Sequence, residues 1–301
     1  MALSDFLTIS PEVMQASAPV ALETTVIAHG LPYPDNLAVA ERLEQAVRAS
    51  GATPAWCGLL DGRIRVGMTP AEIERFAKDP AMAKVSRRDF APLLATKGSG
   101  ATTVAGTMIC AHAAGIAVFA TGGLGGVHRQ VADTLDISAD LGELARTPVA
   151  VVCSGAKSIL DLANTVEMLE TFGVPVLGFG TDQFPAFQVR SSGLPVDRQV
   201  DTAQEAAAII QAQRALGMGG MVIGVPVPPE EALEREEVEA WVAQALIDAD
   251  SANVHGKRIT PFLLNRLAEL SGGKTLSANI ALLENNAATA AHIAVALSLR
   301  D

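Results

Sequence analysis

The chain has 301 residues, 49% of them apolar and only 4% aromatic, with a formal net charge of −11. That length and apolar content can fill a large core within a single α/β domain, 1–301, and the acidic balance argues against a nucleic-acid partner, which needs a basic footprint. Cys57, Cys110 and Cys153 are three in number, far apart and set in apolar stretches, which excludes a disulfide framework or zinc knuckle and suits buried thiols in a reducing compartment.

Met1 to Glu12 lacks the basic start and apolar run of a signal peptide. No uninterrupted apolar run of about 18 residues marks a membrane span, so a soluble, cytoplasmic protein without a membrane partner is expected. Val20-Ala21-Leu22 reads as a strand ending at Glu23, followed by the loop His29-Gly30-Leu31-Pro32-Tyr33-Pro34. Asp35 to Ser50 reads as a helix capped by Asp35 or Asn36. Trp56 to Leu60 and Arg63 to Val66 read as a hairpin turned by Asp61-Gly62. Thr69-Pro70-Ala71-Glu72 opens a helix with a cap, a proline at the first position and an acid in the first turn. Ala117 to Ala120 is a strand entering the glycine cluster Gly122-Gly123-Leu124-Gly125-Gly126. Pro148 to Cys153 is another, and Ser154-Gly155-Ala156 leads into a helix near Lys157 to Phe172. Val174 to Phe179 and Gly220 to Val227 are strands, with a helix from Thr202 to Leu216 between them. Three helices close the chain: Glu230 to Asp250, Thr260 to Ser271 and Ser277 to Leu299. Short apolar runs alternating with helical patterns predict an α/β fold, a three-layer α/β/α arrangement around a mixed, mostly parallel sheet.

Ligands of such folds bind at the carboxyl ends of strands, and three polar groups fall there. Glu23 should be shielded, and shielding favours a carboxyl that holds its proton near neutrality; the alternative is a cap or a bridge to a lysine. Lys157 follows a strand and should open a helix, whose positive end and partial burial both favour the neutral amine of a nucleophile; the alternative is a solvent-facing lysine. The glycine cluster lets backbone N–H groups approach an anion, yet it matches neither GxGxxG nor GxxxxGK[ST], and a tight turn explains it equally well. Asp136 and Asp140 can hold a divalent cation or cap a helix. Lys84 and Arg87-Arg88 form a local basic group suited to phosphate or to a solvated helix end. His29, His112 and His292 are assigned to surface or core packing.

Taken together, these segments resemble the pseudouridine-5'-phosphate glycosidase family, which includes the indigoidine-synthase-A-like proteins. The matching stretches include Ala21-Leu22-Glu23-Thr24-Thr25-Val26-Ile27-Ala28-His29-Gly30, Lys84-Val85-Ser86-Arg87-Arg88-Asp89 and Gly100-Ala101-Thr102-Thr103-Val104. Further along come Thr121 to Arg129, Asp136-Ile137-Ser138-Ala139-Asp140, Gly155-Ala156-Lys157-Ser158, Thr260-Pro261-Phe262, Ser277-Ala278-Asn279-Ile280 and Asn285-Asn286-Ala287. The resemblance implies reversible cleavage of pseudouridine 5'-phosphate to uracil and ribose 5-phosphate through a Schiff-base adduct. It implies Lys157 as nucleophile, Glu23 as proton donor, and Lys84, Val104, Ser138, Ala139 and Asp140 as substrate contacts. It further implies Thr121, His128 and Asn279 as phosphate or base contacts, Asp136 as the ligand of Mn²⁺ or Mg²⁺, and a homotrimer. Two other readings are open: a C-glycoside synthase of a biosynthetic pathway, or a nucleotide-binding oxidoreductase suggested by the glycines. A non-catalytic sugar-phosphate sensor is a third.

Overall fold

A computed structural model of the chain describes residues 3–254 and 256–300. The strands are β1 (Leu7–Ile9), β2 (Pro19–Glu23), β3 (Thr53–Leu60), β4 (Arg63–Val66), β5 (Ala83–Val85), β6 (Gly100–Thr102), β7 (Val118–Ala120), β8 (Val127–His128), β9 (Ala150–Cys153), β10 (Leu160–Asp161), β11 (Val176–Phe179), β12 (Arg198–Val200) and β13 (Met221–Gly224). Nine run in the order β1-β4-β3-β2-β7-β9-β13-β11-β12, with β5 and β6 attached beside β3. Every pairing from β3 through β2 to β12 is parallel, and the antiparallel pairs β3–β4 and β3–β6 lie at one side. The mixed, mostly parallel sheet is therefore as expected.

The side-chain period of two sends alternate residues to two cores. Val20, Leu22, Val118, Ala120, Ala150 and Val152 face one layer, which contains the helices Asp35–Ala49, Ala203–Ala215 and Lys274–Ser298. Ala21, Phe119, Val151 and Cys153 face the other, which contains Val104–Ala113, Leu162–Thr171, Arg235–Ser251 and Ile259–Leu270. With apolar side chains on both faces, the central strands read as continuous apolar runs. Helix Lys274–Ser298 is long and apolar enough to cross a membrane, which the sequence reading did not anticipate. Here it is a core helix: 61% of its most apolar stretch is buried, and it packs against β2, β7, β9 and the helices Asp35–Ala49, Ala203–Ala215 and Ile259–Leu270.

Local signals explain most boundaries. Thr69 and Glu72 form a reciprocal capping box with Pro70 at the first position. Asp61 and Gly62 both take positive φ, as a two-residue hairpin turn requires. Two expectations fail. Helix Asp35–Ala49 has no side-chain cap, because Pro34 holds the cap position and Asp35 and Asn36 fall inside the first turn; buried Asn36 donates from Nδ2 to the carbonyls of Ile27 and Ala77. Lys157 does not open a helix: β10 intervenes, and the helix starts at Leu162, capped by Asp161, whose carboxylate accepts from the Asn164 N–H. A helix dipole acts over the first turn, so the one starting at Leu162 does not reach Lys157.

Candidate active site

A cavity of about 370 Å³ opens at the carboxyl ends of β2 and β7, where α/β folds bind ligands. Glu23 ends β2 and is 9% exposed. Its two carboxylate oxygens accept from different hydroxyls: Oε1 from Thr121 in a short contact, and Oε2 from Thr25 at 2.5 Å. The backbone at this corner is tied down next door. Thr24 Oγ1 donates to the Cys57 carbonyl at 2.7 Å and accepts from the Thr102 N–H at 2.9 Å.

The glycine cluster forms the second wall. Gly125 approaches helix Ala139–Leu144 so closely that a Cβ there would lie 2.3 Å from Ser138 Oγ and 2.7 Å from Asp140 Oδ2. Gly155 has a φ of +72°, and a Cβ on it would lie 1.9 Å from the Pro185 carbonyl oxygen. These two positions need glycine for conformation and space. The resulting loop presents the Gly123 carbonyl to Lys157, whose side chain is half-buried and donates to it from Nζ at 2.5 Å. Buried Asn286, from the long C-terminal helix, donates to the Thr121 carbonyl at 2.8 Å and shares a hydrogen bond with Ser154.

The third wall carries Asp136, with His128 Nε2 3.8 Å from its carboxylate. Burial pushes the His128 imidazole below its usual range; Asp136 pulls it up, and Lys84 and Lys157 push it down again. Burial and Lys84 likewise hold His29 low, while the Ala83 carbonyl works the other way. Two cations therefore face this end of the cavity in an acidic protein, which suits an anionic ligand. Among the described residues no three His, Cys, Asp or Glu side chains gather as a ligand cage. Asp136, 42% exposed at the cavity, fits instead a hard divalent cation held by one carboxylate with water completing its shell.

Glu23, Lys157, Asp136 and His128 line this cavity, as do Lys84, Val104, Ser138, Ala139, Asp140 and Asn279. Thr121 does not; it is 2% exposed behind Glu23, and it touches the carboxylate instead of the cavity. Asp140 is buried, and both its oxygens are engaged by backbone N–H groups, from Ala105 and Gly125, each at 2.9 Å. Ala105 is the second residue of helix Val104–Ala113, so Asp140 caps that helix from a distance, while Ser138 caps the helix on which Asp140 itself lies. Of the basic group, Arg87 pairs bidentately with buried Glu143, whereas Arg88 lines the cavity. His29 also lines it, contrary to the packing role expected, while His112 and His292 are exposed. The three thiols are buried, and burial pushes Cys57 and Cys153 up to about 12.

The family model described as "Indigoidine synthase A like protein" matches residues 9–296. A protein of Geobacillus kaustophilus named pseudouridine-5'-phosphate glycosidase is 53% identical, the match covering 98% of this chain and 100% of that one. A protein of the same name from Sorangium cellulosum is 52% identical over 99% and 96% of the two chains. Among solved structures, the prealnumycin C-glycosynthase AlnA in complex with ribulose 5-phosphate superposes with a TM-score of 0.90 at 41% identity, over 98% of each chain. An indigoidine synthase A-like protein from Thermotoga maritima gives 0.89 at 35%, over 97% of each.

Proposed function

The chain belongs to the indigoidine synthase A-like family, and from that premise we propose that it is a pseudouridine-5'-phosphate glycosidase, breaking and re-forming the C–C bond between uracil and ribose 5-phosphate. The observation that carries the reading is the convergence of a lysine amine, a buried carboxylate and Asp136 on one cavity with a cationic end.

The chemistry asks for such a set. An N-glycoside departs when its base is protonated; carbon is a poor leaving atom and has no such exit. In this reading, loss of the uracil N1 proton lets the base expel O4' from C1', O4' takes a proton and the ribose opens. The Lys157 amine adds to C1' and loses a proton, while the base recovers its own. The nitrogen lone pair then forms C=N as the C1'–C5 pair passes to uracil, whose C5 gains a proton. Water hydrolyses the iminium, releasing ribose 5-phosphate and the amine. Glu23 carries the protons to and from these atoms. Lys84 and Arg88 meet the phosphate, with Arg88 offering the fork that matches its oxygens. A Mn²⁺ or Mg²⁺ held by Asp136 would supply positive charge for substrate oxygens.

Incubation with pseudouridine 5'-phosphate and Mn²⁺ should release free uracil. Borohydride with ribose 5-phosphate should fix an adduct on Lys157, read by peptide mass spectrometry; an adduct elsewhere, or full turnover by Lys157→Ala, removes the lysine from the account. Direct Mn²⁺ binding should be lost in Asp136→Ala. The likeness to AlnA favours a second reading, in which the same chemistry serves another aromatic acceptor; comparing uracil with such acceptors in the synthetic direction separates the two.

A further inference from the structure

We propose that Thr121 and Thr25 are positioning residues for Glu23, a two-hydroxyl clamp that fixes the carboxylate in one orientation for proton transfer. The proposal rests on the role just given to Glu23. Each carboxylate oxygen accepts one hydroxyl, Oε1 that of Thr121 and Oε2 that of Thr25. A carboxylate with a single donor can still turn about its Cγ–Cδ bond; one held at both oxygens by donors on different elements cannot without breaking a bond. Thr121 follows β7 and Thr25 opens the short helix Thr25–Ala28.

The backbone that carries each hydroxyl is tied down at or beside the threonine. The Thr121 carbonyl accepts from Asn286 and its N–H donates to the Val152 carbonyl at 3.0 Å. On the other side, Thr24 is fixed to β3 and β6 through Cys57 and Thr102, one residue from Thr25. The donors thus stand on a rigid frame, as a preorganised catalytic group needs. Thr121 lies outside the cavity at 2% exposure, so its hydroxyl acts through Glu23 and not on the substrate. Each oxygen keeps acceptor capacity for a further proton-bearing group, because a carboxylate offers about four lone-pair sites.

The test compares Thr121→Val, Thr121→Ser, Thr25→Val, Thr25→Ser and Glu23→Gln in the full chain, by uracil release from pseudouridine 5'-phosphate with Mn²⁺. Each valine variant should lose kcat by about 10- to 100-fold, at or below the lower bound of what general acid–base catalysis contributes because Glu23 itself remains, with KM changed less than about threefold. Each serine variant, which restores the donor, should recover to within about threefold of the parent. Equal kcat in the valine variants, a rise in KM alone, or serine variants as impaired as valine overturns the clamp. Should buried Thr121→Val fail to fold, Thr25→Val, at the cavity edge, carries the same test. Glu23→Gln separates the two levels of argument. Undiminished turnover there overturns the role of Glu23 itself, and the clamp with it; an inactive Glu23→Gln beside unaffected valine variants overturns the clamp alone.

Discussion

Replacing Asp140 distinguishes a substrate contact from a structural clamp. The carboxylate is 6% exposed, with the Ala105 N–H on Oδ1 and the Gly125 N–H on Oδ2, both at 2.9 Å. A hydrogen bond to a charged group contributes about 1.5–3 kcal/mol net, so the pair joins helix Val104–Ala113 to the glycine loop with about 3–6 kcal/mol. Asp140→Asn keeps one acceptor but turns an NH₂ toward the other N–H, and should cost about half, near 2.5 kcal/mol. Asp140→Ala orphans both N–H groups and should cost the larger sum. For a chain of this length, 1 kcal/mol corresponds to about 1.6 °C; Tm should fall about 4 °C for the asparagine and more for the alanine. Differential scanning calorimetry measures this, with uracil-release kinetics beside it. If both variants melt within about 1 °C of the parent while KM rises, the carboxylate serves the substrate and the clamp argument is wrong.

Three further outcomes follow from the same geometry. Asn286→Ala leaves the Thr121 carbonyl and the Ser154 hydroxyl buried without their partner; at about 1–3 kcal/mol per orphaned group it should lower Tm by several degrees, and an unchanged melting curve contradicts this. Gly125→Ala places a Cβ against Ser138 and Asp140; overpacking of about 1–3 kcal/mol should appear in calorimetry together with reduced kcat, and a fully active, equally stable variant shows that the loop gives way freely. His29 is held below its ordinary value of 6.5 by burial and Lys84, so the unfolded chain binds the proton more readily than the folded one. Its contribution is intact above pH 6.5 and is lost as pH falls through the window below it; melting between pH 7.5 and 5 should show the parent declining more steeply than His29→Gln, and parallel curves refute the assignment.

The strands that build the core were legible because their burial on both faces leaves uninterrupted apolar runs such as Val149-Ala150-Val151-Val152. Helices opened by Thr69 and Thr202 were legible because their caps are local chemistry, three residues long. β5 and β6 were not: each has three residues, and Gly100-Ala101-Thr102 carries almost no apolar signal. Helix Val104–Ala113 is buried on nearly every side, so its sequence shows no amphipathic period to read. At Lys157 the sequence offered a later start, since Asp161 is a good cap, and its carboxylate does accept from the Asn164 N–H. The clamp on Asp140 and the grip of Asn286 had no local signal at all, because their partners lie 35 and 165 positions away in the chain. The oxidoreductase reading depended on the cluster Gly122-Gly123-Leu124-Gly125-Gly126, whose glycines are explained by close approach to Leu283, Phe187, Ser138, Asp140 and Thr165.

What brings Glu23 and Thr121 together across 98 positions is strand register. Leu22 pairs with Ala120, and Ala120 with Val152, in parallel neighbours. Glu23, Thr121 and Cys153 therefore form the next row, and adjacent strands stand about 4.8 Å apart, close enough for one side chain to bond the next. Leu22, Ala120 and Val152 point into the layer of the long C-terminal helix, so by alternation the following row points the other way. Glu23 thereby faces away from the layer of the long C-terminal helix, at the end of the sheet where Lys157, on the segment after β9, lines the same cavity. A one-residue slip of β2 against β7 would send Glu23 into the apolar layer and Leu22 toward the cavity. The buried apolar row beneath the site thus sets the placement of its carboxylate: the residues that stabilise the sheet are the same ones that decide which face the acid–base group occupies.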